Sequence, residues 1–195
     1  GGTGVGHKMH LLCGDTIYFS ATDGSTGVEL WAHDTSNLST WQVADINPGS
    51  QSSNPGYSGM TILVGDTIYF SANDGSTGNE LWAHDTSNHS TWRVTDVWNG
   101  SGNSNPGKFM SILVGDTIYF SAHNATFGIE MWAHDTSNQI VLIVTHTREC
   151  NICSSATAWY VQPNCDVRQS HSLDLWNCAR ITRTNWEEGH LTMTF

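Results

Sequence analysis

Three sets of residues recur at fixed spacing and carry chemistry. Asp23 and Asp74 sit in Gly-rich loops, Asn124 holds the same place in a third copy, and Glu29, Glu80 and Glu130 follow six residues on. Oxygen ligands in loops suit Ca2+. Asp23, Asp74, Glu29 and Glu80 are therefore the calcium candidates, and Ca2+ is the one cofactor the sequence suggests. Against this, the alternating carboxylates of an EF-hand loop are missing, and Asp-Gly is simply good turn chemistry. Structural turns are the preferred reading, with no bound cofactor.

His33, His84 and His134 also repeat in register. Three histidines suggest zinc, but equivalent positions in separate repeats hold their atoms far apart, so a structural role is expected. Trp31, Trp82, Trp132 and Trp176 are one per repeat. They can serve as sugar-stacking platforms, yet constant register favours packing between repeats, with each indole N–H bonded locally. Cys150-x-x-Cys153, Cys165 and Cys178 cluster near the C-terminus. The second pair lacks the CxxC spacing of a zinc site, and in an exported chain disulfides are the better expectation. Their connectivity is not readable, and Cys13 is left over.

The elements that position these groups follow from a repeat. Gly-Asp pairs start at 14, 65 and 115, giving periods of 51 and 50 residues. Within the second copy, 60–64 is short, apolar and β-branched, and reads as a strand. Gly65-Asp66 then separates it from Thr67-Ile68-Tyr69-Phe70-Ser71-Ala72, a tight hairpin signal. The loop 73–79 leads to a third strand at 80–85, and 91–97 alternates as a fourth. Four antiparallel strands in about 50 residues form a meander that cannot bury both faces alone; stacked radially, such sheets are β-propeller blades. The expected fold is all-β, a propeller of four-stranded antiparallel blades in one repeat domain. The expected blades span 8–47, 59–98 and 109–147, with a divergent fourth at 148–195.

That fourth blade rests on spacing. Trp31 and Trp41, Trp82 and Trp92, and Trp176 and Trp186 are each ten apart. Strand 157–161 and the turn Pro163-Asn164 fall near the expected places. Four of the five cysteines lie beyond residue 146, however, so an unrelated tail is the alternative.

Composition bounds the function. The net charge of −11 argues against a nucleic-acid partner and against anionic membranes. No apolar run approaches the ~18 residues that span a bilayer, so membrane insertion is not expected. Without an initiator Met or a signal-peptide pattern, the chain is expected to be a mature or excised segment. Asn37, Asn88, Asn99 and Asn124 head acceptor sequons for N-glycosylation.

At Glu29-Leu30-Trp31-Ala32-His33-Asp34, Glu80–Asp85 and Glu130-Met131-Trp132-Ala133-His134-Asp135 the chain resembles the ELWxxDGT repeat family. The resemblance covers roughly residues 9–146. It departs after the Asp, where Asp-Thr-Ser replaces Asp-Gly-Thr, and in the fourth repeat only Asp174-Leu175-Trp176 survives. It implies a propeller-like fold, an extracellular or cell-surface location, and adhesion or matrix roles, with no catalytic mechanism to carry over. No catalytic constellation stands out in the residues. A non-enzymatic adhesion or assembly module is therefore expected, with self-association, a surface or matrix partner, or glycans as its partners. A glycan-binding lectin with one site per blade is the alternative, and a propeller hydrolase comes third.

Overall fold

The computed structural model describes residues 9–144 together with two-residue strands at 152–153, 178–179, 186–187 and 190–191. The chain divides into two compact units, Gly1–Thr145 and His146–Phe195. The first holds three four-stranded antiparallel sheets, each a simple meander. Sheet 1 is β1 (His10–Cys13), β2 (Thr16–Ala21), β3 (Glu29–Asp34) and β4 (Ser39–Ala44). Sheet 2 is β5 (Thr61–Val64), β6 (Thr67–Asn73), β7 (Asn79–Asp85) and β8 (Ser90–Thr95). Sheet 3 is β9 (Ser111–Val114), β10 (Thr117–Asn124), β11 (Gly128–Asp135) and β12 (Ile140–Val144). The described residues contain no helix, and among them no helix is long and apolar enough to cross a membrane. The all-β class and the three meanders agree with the repeat.

Local chemistry places the turns. Val64 pairs with Thr67 across Gly65-Asp66, and Gly65 has φ of 56°. That positive φ is the requirement at the first central position of a II′ hairpin turn. In the turn after β3, Asp34 Oδ1 accepts from the Ser36 N–H at 2.8 Å, and Asn37 Oδ1 accepts from the Ser39 N–H at 2.9 Å. Asp85 and Asn88 repeat both bonds. The residue after the Asn takes positive φ in all three copies, at Leu38, His89 and Gln139.

Alternation then gives every sheet two faces. The register sets Tyr18 opposite Ala32 and Ser20 opposite Leu30 on one face, here called the front. Ile17 opposite His33 and Phe19 opposite Trp31 form the back. The front of sheet 1 (Tyr18, Leu30, Ala32) packs on the back of sheet 2 (Ile68, Phe70, Ala72) in one core. The front of sheet 2 (Tyr69, Leu81, Ala83) packs on the back of sheet 3 (Ile118, Phe120, Ala122) in a second. Leu30, Phe70, Leu81 and Phe120 are all 0% exposed. Each such side chain contributes about 2–3 kcal/mol of burial. The junction is thus built twice with the same residue types.

The second unit is described only by two strand pairs. β13 (Ile152–Cys153) pairs with β14 (Cys178–Ala179), and β15 (Trp186–Glu187) with β16 (His190–Leu191), both antiparallel. The register sets Cys153 opposite Cys178. The expected strand at 157–161, the turn at Pro163-Asn164, and Trp176, Cys150 and Cys165 lie outside the described residues.

Candidate functional site

The repeated carboxylates divide into two kinds with different surroundings. Asp23 is exposed on its loop, and its Oδ1 accepts from the N–H and Oγ of Ser25 and from the N–H and Oγ1 of Thr26, at 2.8–3.1 Å. The Ser25 and Thr26 N–H groups hold its carboxyl far below the usual range. Asp74 repeats this with Ser76 and Thr77, and also meets the Arg93 guanidinium at 3.7 Å. Partial burial pushes Asp74 up, but its loop hydrogen bonds outweigh that, so its carboxyl stays below the usual value. These aspartates close their own loops.

Glu29 and Glu80 are the opposite case. Both are 0% exposed. Glu29 accepts from the Ile46 N–H at 2.9 Å, from the Ser53 N–H at 2.8 Å and from Ser53 Oγ at 2.5 Å. Glu80 accepts from the Val97 N–H at 2.9 Å, from the Ser104 N–H at 3.1 Å and from Ser104 Oγ at 2.7 Å. Burial pushes the Glu80 carboxyl up to about 7 and raises that of Glu29. The calcium candidates therefore split between a loop surface and a closed interior. Among the described residues no three His, Cys, Asp or Glu side chains gather where a metal would sit.

The two glutamates anchor a strap. Residues 53–56 and 104–107 both read Ser-Asn-Pro-Gly. The Asn54 N–H donates to Val28 O, just before β3 of sheet 1, while the Gly56 N–H donates to Ser71 O of sheet 2. The Asn105 N–H donates to Asn79 O, and the Gly107 N–H to Ser121 O of sheet 3. Each strap thus sews one sheet to the next, with a buried carboxylate at its first residue. The composition reading missed this role. The signal was in the sequence all the same, because each serine follows its glutamate by 24 residues in both copies. Glu130 is half-buried, and the residue 24 positions on, Ser154, lies outside the described residues.

His84 and His134 pack between sheets, whereas His33 lies on the back of sheet 1. His33 Nδ1 lies 2.7 Å from Thr40 Oγ1, and His84 Nδ1 lies 2.9 Å from Thr91 Oγ1. The His84 ring faces Tyr18 with centroids 5.5 Å apart, and His134 faces Tyr69 at 5.1 Å. Both are 0% exposed, and burial lowers both below the ordinary histidine value. The folded state keeps them neutral, while the unfolded chain protonates them below about pH 6.5. The unfolded state then binds more protons, so stability falls as pH drops through that value, with a slope approaching about 1.4 kcal/mol per pH unit for each histidine. Glu80 acts in the opposite sense, because its raised carboxyl favours the fold at low pH and loses that contribution as pH rises through about 7. His134→Leu should therefore flatten the acid-side fall in unfolding free energy relative to wild type. Denaturant titrations at pH 7.5 and 5.5 check this, and the shared Glu80 contribution cancels in the comparison. Equal slopes in the two proteins would remove His134 as a source.

Trp82 packs on the core between sheets 1 and 2, and Trp132 on the next. The expected local indole hydrogen bond is not found, since Trp31, Trp82 and Trp132 Nε1 are buried without a partner. The back-face position aims the Trp82 and Trp132 rings at the cores between sheets. Cys13 is a free, half-buried thiol, with Sγ 3.9 Å from Thr86 Oγ1. Of the sequon residues, Asn37, Asn88 and Asn99 are exposed. Asn124 is half-buried, and its Nδ2 donates to Val97 O at 2.9 Å.

The two terminal faces differ from the internal ones. The front of sheet 3 exposes Ile112 (53%), Val114 (57%) and Leu142 (49%). Met110 is 38% exposed, whereas its counterparts Met9 and Met60 are 0%. On the back of sheet 1, Leu12 is 63% exposed, whereas its counterpart Leu63 packs on the first core.

No protein-family model matches this chain, and no curated protein does. Among solved structures it is similar to the crystal structure of TolB from Acinetobacter baumannii, with 18% identity and a TM-score of 0.45. That match covers 68% of this chain, which spans only 30% of the other's length.

Proposed function

We propose that this chain is a non-enzymatic β-propeller repeat module for extracellular or cell-surface adhesion or structural assembly, its three sheets acting as blades. The observation that carries the reading is where the repeated polar groups are used. Asp23 and Asp74 close loops, Glu29 and Glu80 hold straps, and His84 and His134 pack between sheets. Little reactive chemistry is left over, while apolar surface is exposed on the front of sheet 3 and, at Leu12, on the back of sheet 1. Exposed patches of this kind mark interaction sites. A propeller with 148–195 in fourth place is the competing finer fold; it rests on the tryptophan spacing alone, and disulfides among Cys150, Cys153, Cys165 and Cys178 would staple that segment. The motif resemblance supports the surface location.

A lectin is the second reading, and Trp41, 37% exposed, is its best platform. Immobilised protein should retain cells or matrix, show no turnover in a panel of glycoside substrates, and bind no defined sugar on a glycan array. Saturable sugar binding lost in Trp41→Ala selects the lectin, and turnover selects the hydrolase.

Glycans, where the source cell adds them, are expected at Asn37, Asn88 and Asn99 and not at Asn124. The first three are exposed, and the Nδ2 bonds of Asn37 and Asn88 stay within their own turns, whereas Asn124 is half-buried with its Nδ2 held on Val97 O of another segment. Glycopeptide mapping of natively produced protein decides this, and a modified Asn124 would show that its loop opens.

A further inference from the structure

We infer that the open front of sheet 3 is covered by the back of sheet 1 of a second copy of this chain, joined head to tail. The inference rests on the assembly reading above and names its partner. Its template is inside the molecule. The same front-on-back junction forms twice within one chain, each time with a Tyr ring against a His ring, Tyr18 on His84 and Tyr69 on His134. Among the three sheets of the first unit, one front and one back are left without a partner sheet. The leftover front carries Tyr119, Met131 and Ala133 in the places of Tyr69, Leu81 and Ala83. The leftover back carries Ile17, Phe19, Trp31 and His33 in the places of Ile68, Phe70, Trp82 and His84. The strand positions of these two faces hold no Lys or Arg. The two faces therefore match each other as the internal faces do, and Tyr119 of one copy would meet His33 of the other.

Residues 148–195 fit the same place poorly. Aligned through the Pro163-Asn164 turn, the positions of Ile118, Phe120 and Ala122 hold Asp166, Arg168 and Ser170. Setting a carboxylate and a guanidinium against an apolar face leaves charges without water. The back of sheet 1 brings Ile17, Phe19 and Ala21 instead. Such a junction joins unlike surfaces, so it either closes a ring or runs on as a filament. Two copies of three sheets make six, within the four to eight blades of closed propellers, so a dimer is the smallest closed ring this junction allows.

Sedimentation velocity on the full chain across a concentration series tests this with Ile112→Glu and Leu12→Glu. Both residues are exposed in the single chain, at 53% and 63%, so each variant should keep its fold and lose no more melting temperature than loss of the dimer explains. Wild type should sediment at about twice 21.4 kDa, and each variant alone as a monomer. An equimolar mixture of the two variants should regain an open dimer, weaker than wild type, because one copy keeps an intact back and the other an intact front while the second junction stays broken. A monomeric wild type overturns the inference, as does a dimer that only one variant breaks, or a mixture that stays monomeric. Retention and glycan assays on the same preparations read the adhesion proposal separately, so a monomer that still adheres sinks only this junction.

Discussion

Glu80→Ala should lower the unfolding free energy by about 4 kcal/mol, with sheets 2 and 3 losing their common core together. Three donors converge on the Glu80 carboxylate, the Val97 N–H, the Ser104 N–H and Ser104 Oγ. All of them are buried with it, and alanine offers none an acceptor. A buried donor left without a partner costs about 1–3 kcal/mol, and the hydroxyl escapes by rotating. The cavity left by the side chain adds to this. Glu80→Gln should recover part of the loss. Its amide oxygen can serve one N–H, and its NH2 can donate to Ser104 Oγ, but one backbone N–H still faces the wrong group. The expected order is therefore wild type, then Gln, then Ala, measured by denaturant unfolding near pH 7. Ser104→Ala keeps both backbone donors and should fall above Glu80→Ala. An alanine variant within about 1 kcal/mol of wild type would show that the strap needs no buried carboxylate.

Gly78→Ala should be almost as damaging, at about 4 kcal/mol, from two independent causes. The first is conformation, because Gly78 has φ of +73°, where a side chain is strained. The second is space, because a Cβ at Gly78 would sit 1.8 Å from Gly102 O. That oxygen belongs to the backbone leading into the strap, so it moves only if the strap moves with it. Gly65 is the control. It has φ of +56°, but its Cβ would meet nothing within 4 Å, so Gly65→Ala should cost only the strain, about 1 kcal/mol. Thermal unfolding of the two variants side by side separates space from conformation. Equal losses would show that the approach of 102 to 78 is unimportant.

Much of the fold was legible because repeats print their logic several times. The Gly-Asp pairs, the alternation through Thr67–Asn73 and the Asp-Thr-Ser-Asn turns depend on neighbours a few residues away. Local rules therefore placed β5 to β8 within a residue or two of where they lie. The role of the recurring Glu was harder to read. Glu80 and Ser104 stand 24 residues apart, and whether they meet depends on how the linker crosses between sheets. The same carboxylate that resembles a calcium ligand in a loop becomes a buried acceptor once the strap closes over it. Asp74, six residues earlier, stays on the loop that its own Ser76 and Thr77 complete.

By itself, then, the sequence determined the all-β class, the three meanders and the turns, since those follow from alternation and short-range hydrogen bonding. It also determined that each sheet has two apolar faces, one carrying Tyr, Leu and Ala and the other Ile, Phe, Trp and His. Only the tertiary structure decided which front meets which back, which carboxylates lose their water, and which faces remain open. Those outcomes depend on contacts between residues far apart in the chain, such as Tyr18 with His84 and Tyr69 with His134. A period-two pattern says that a face must be covered, and the stacking of whole sheets settles by what.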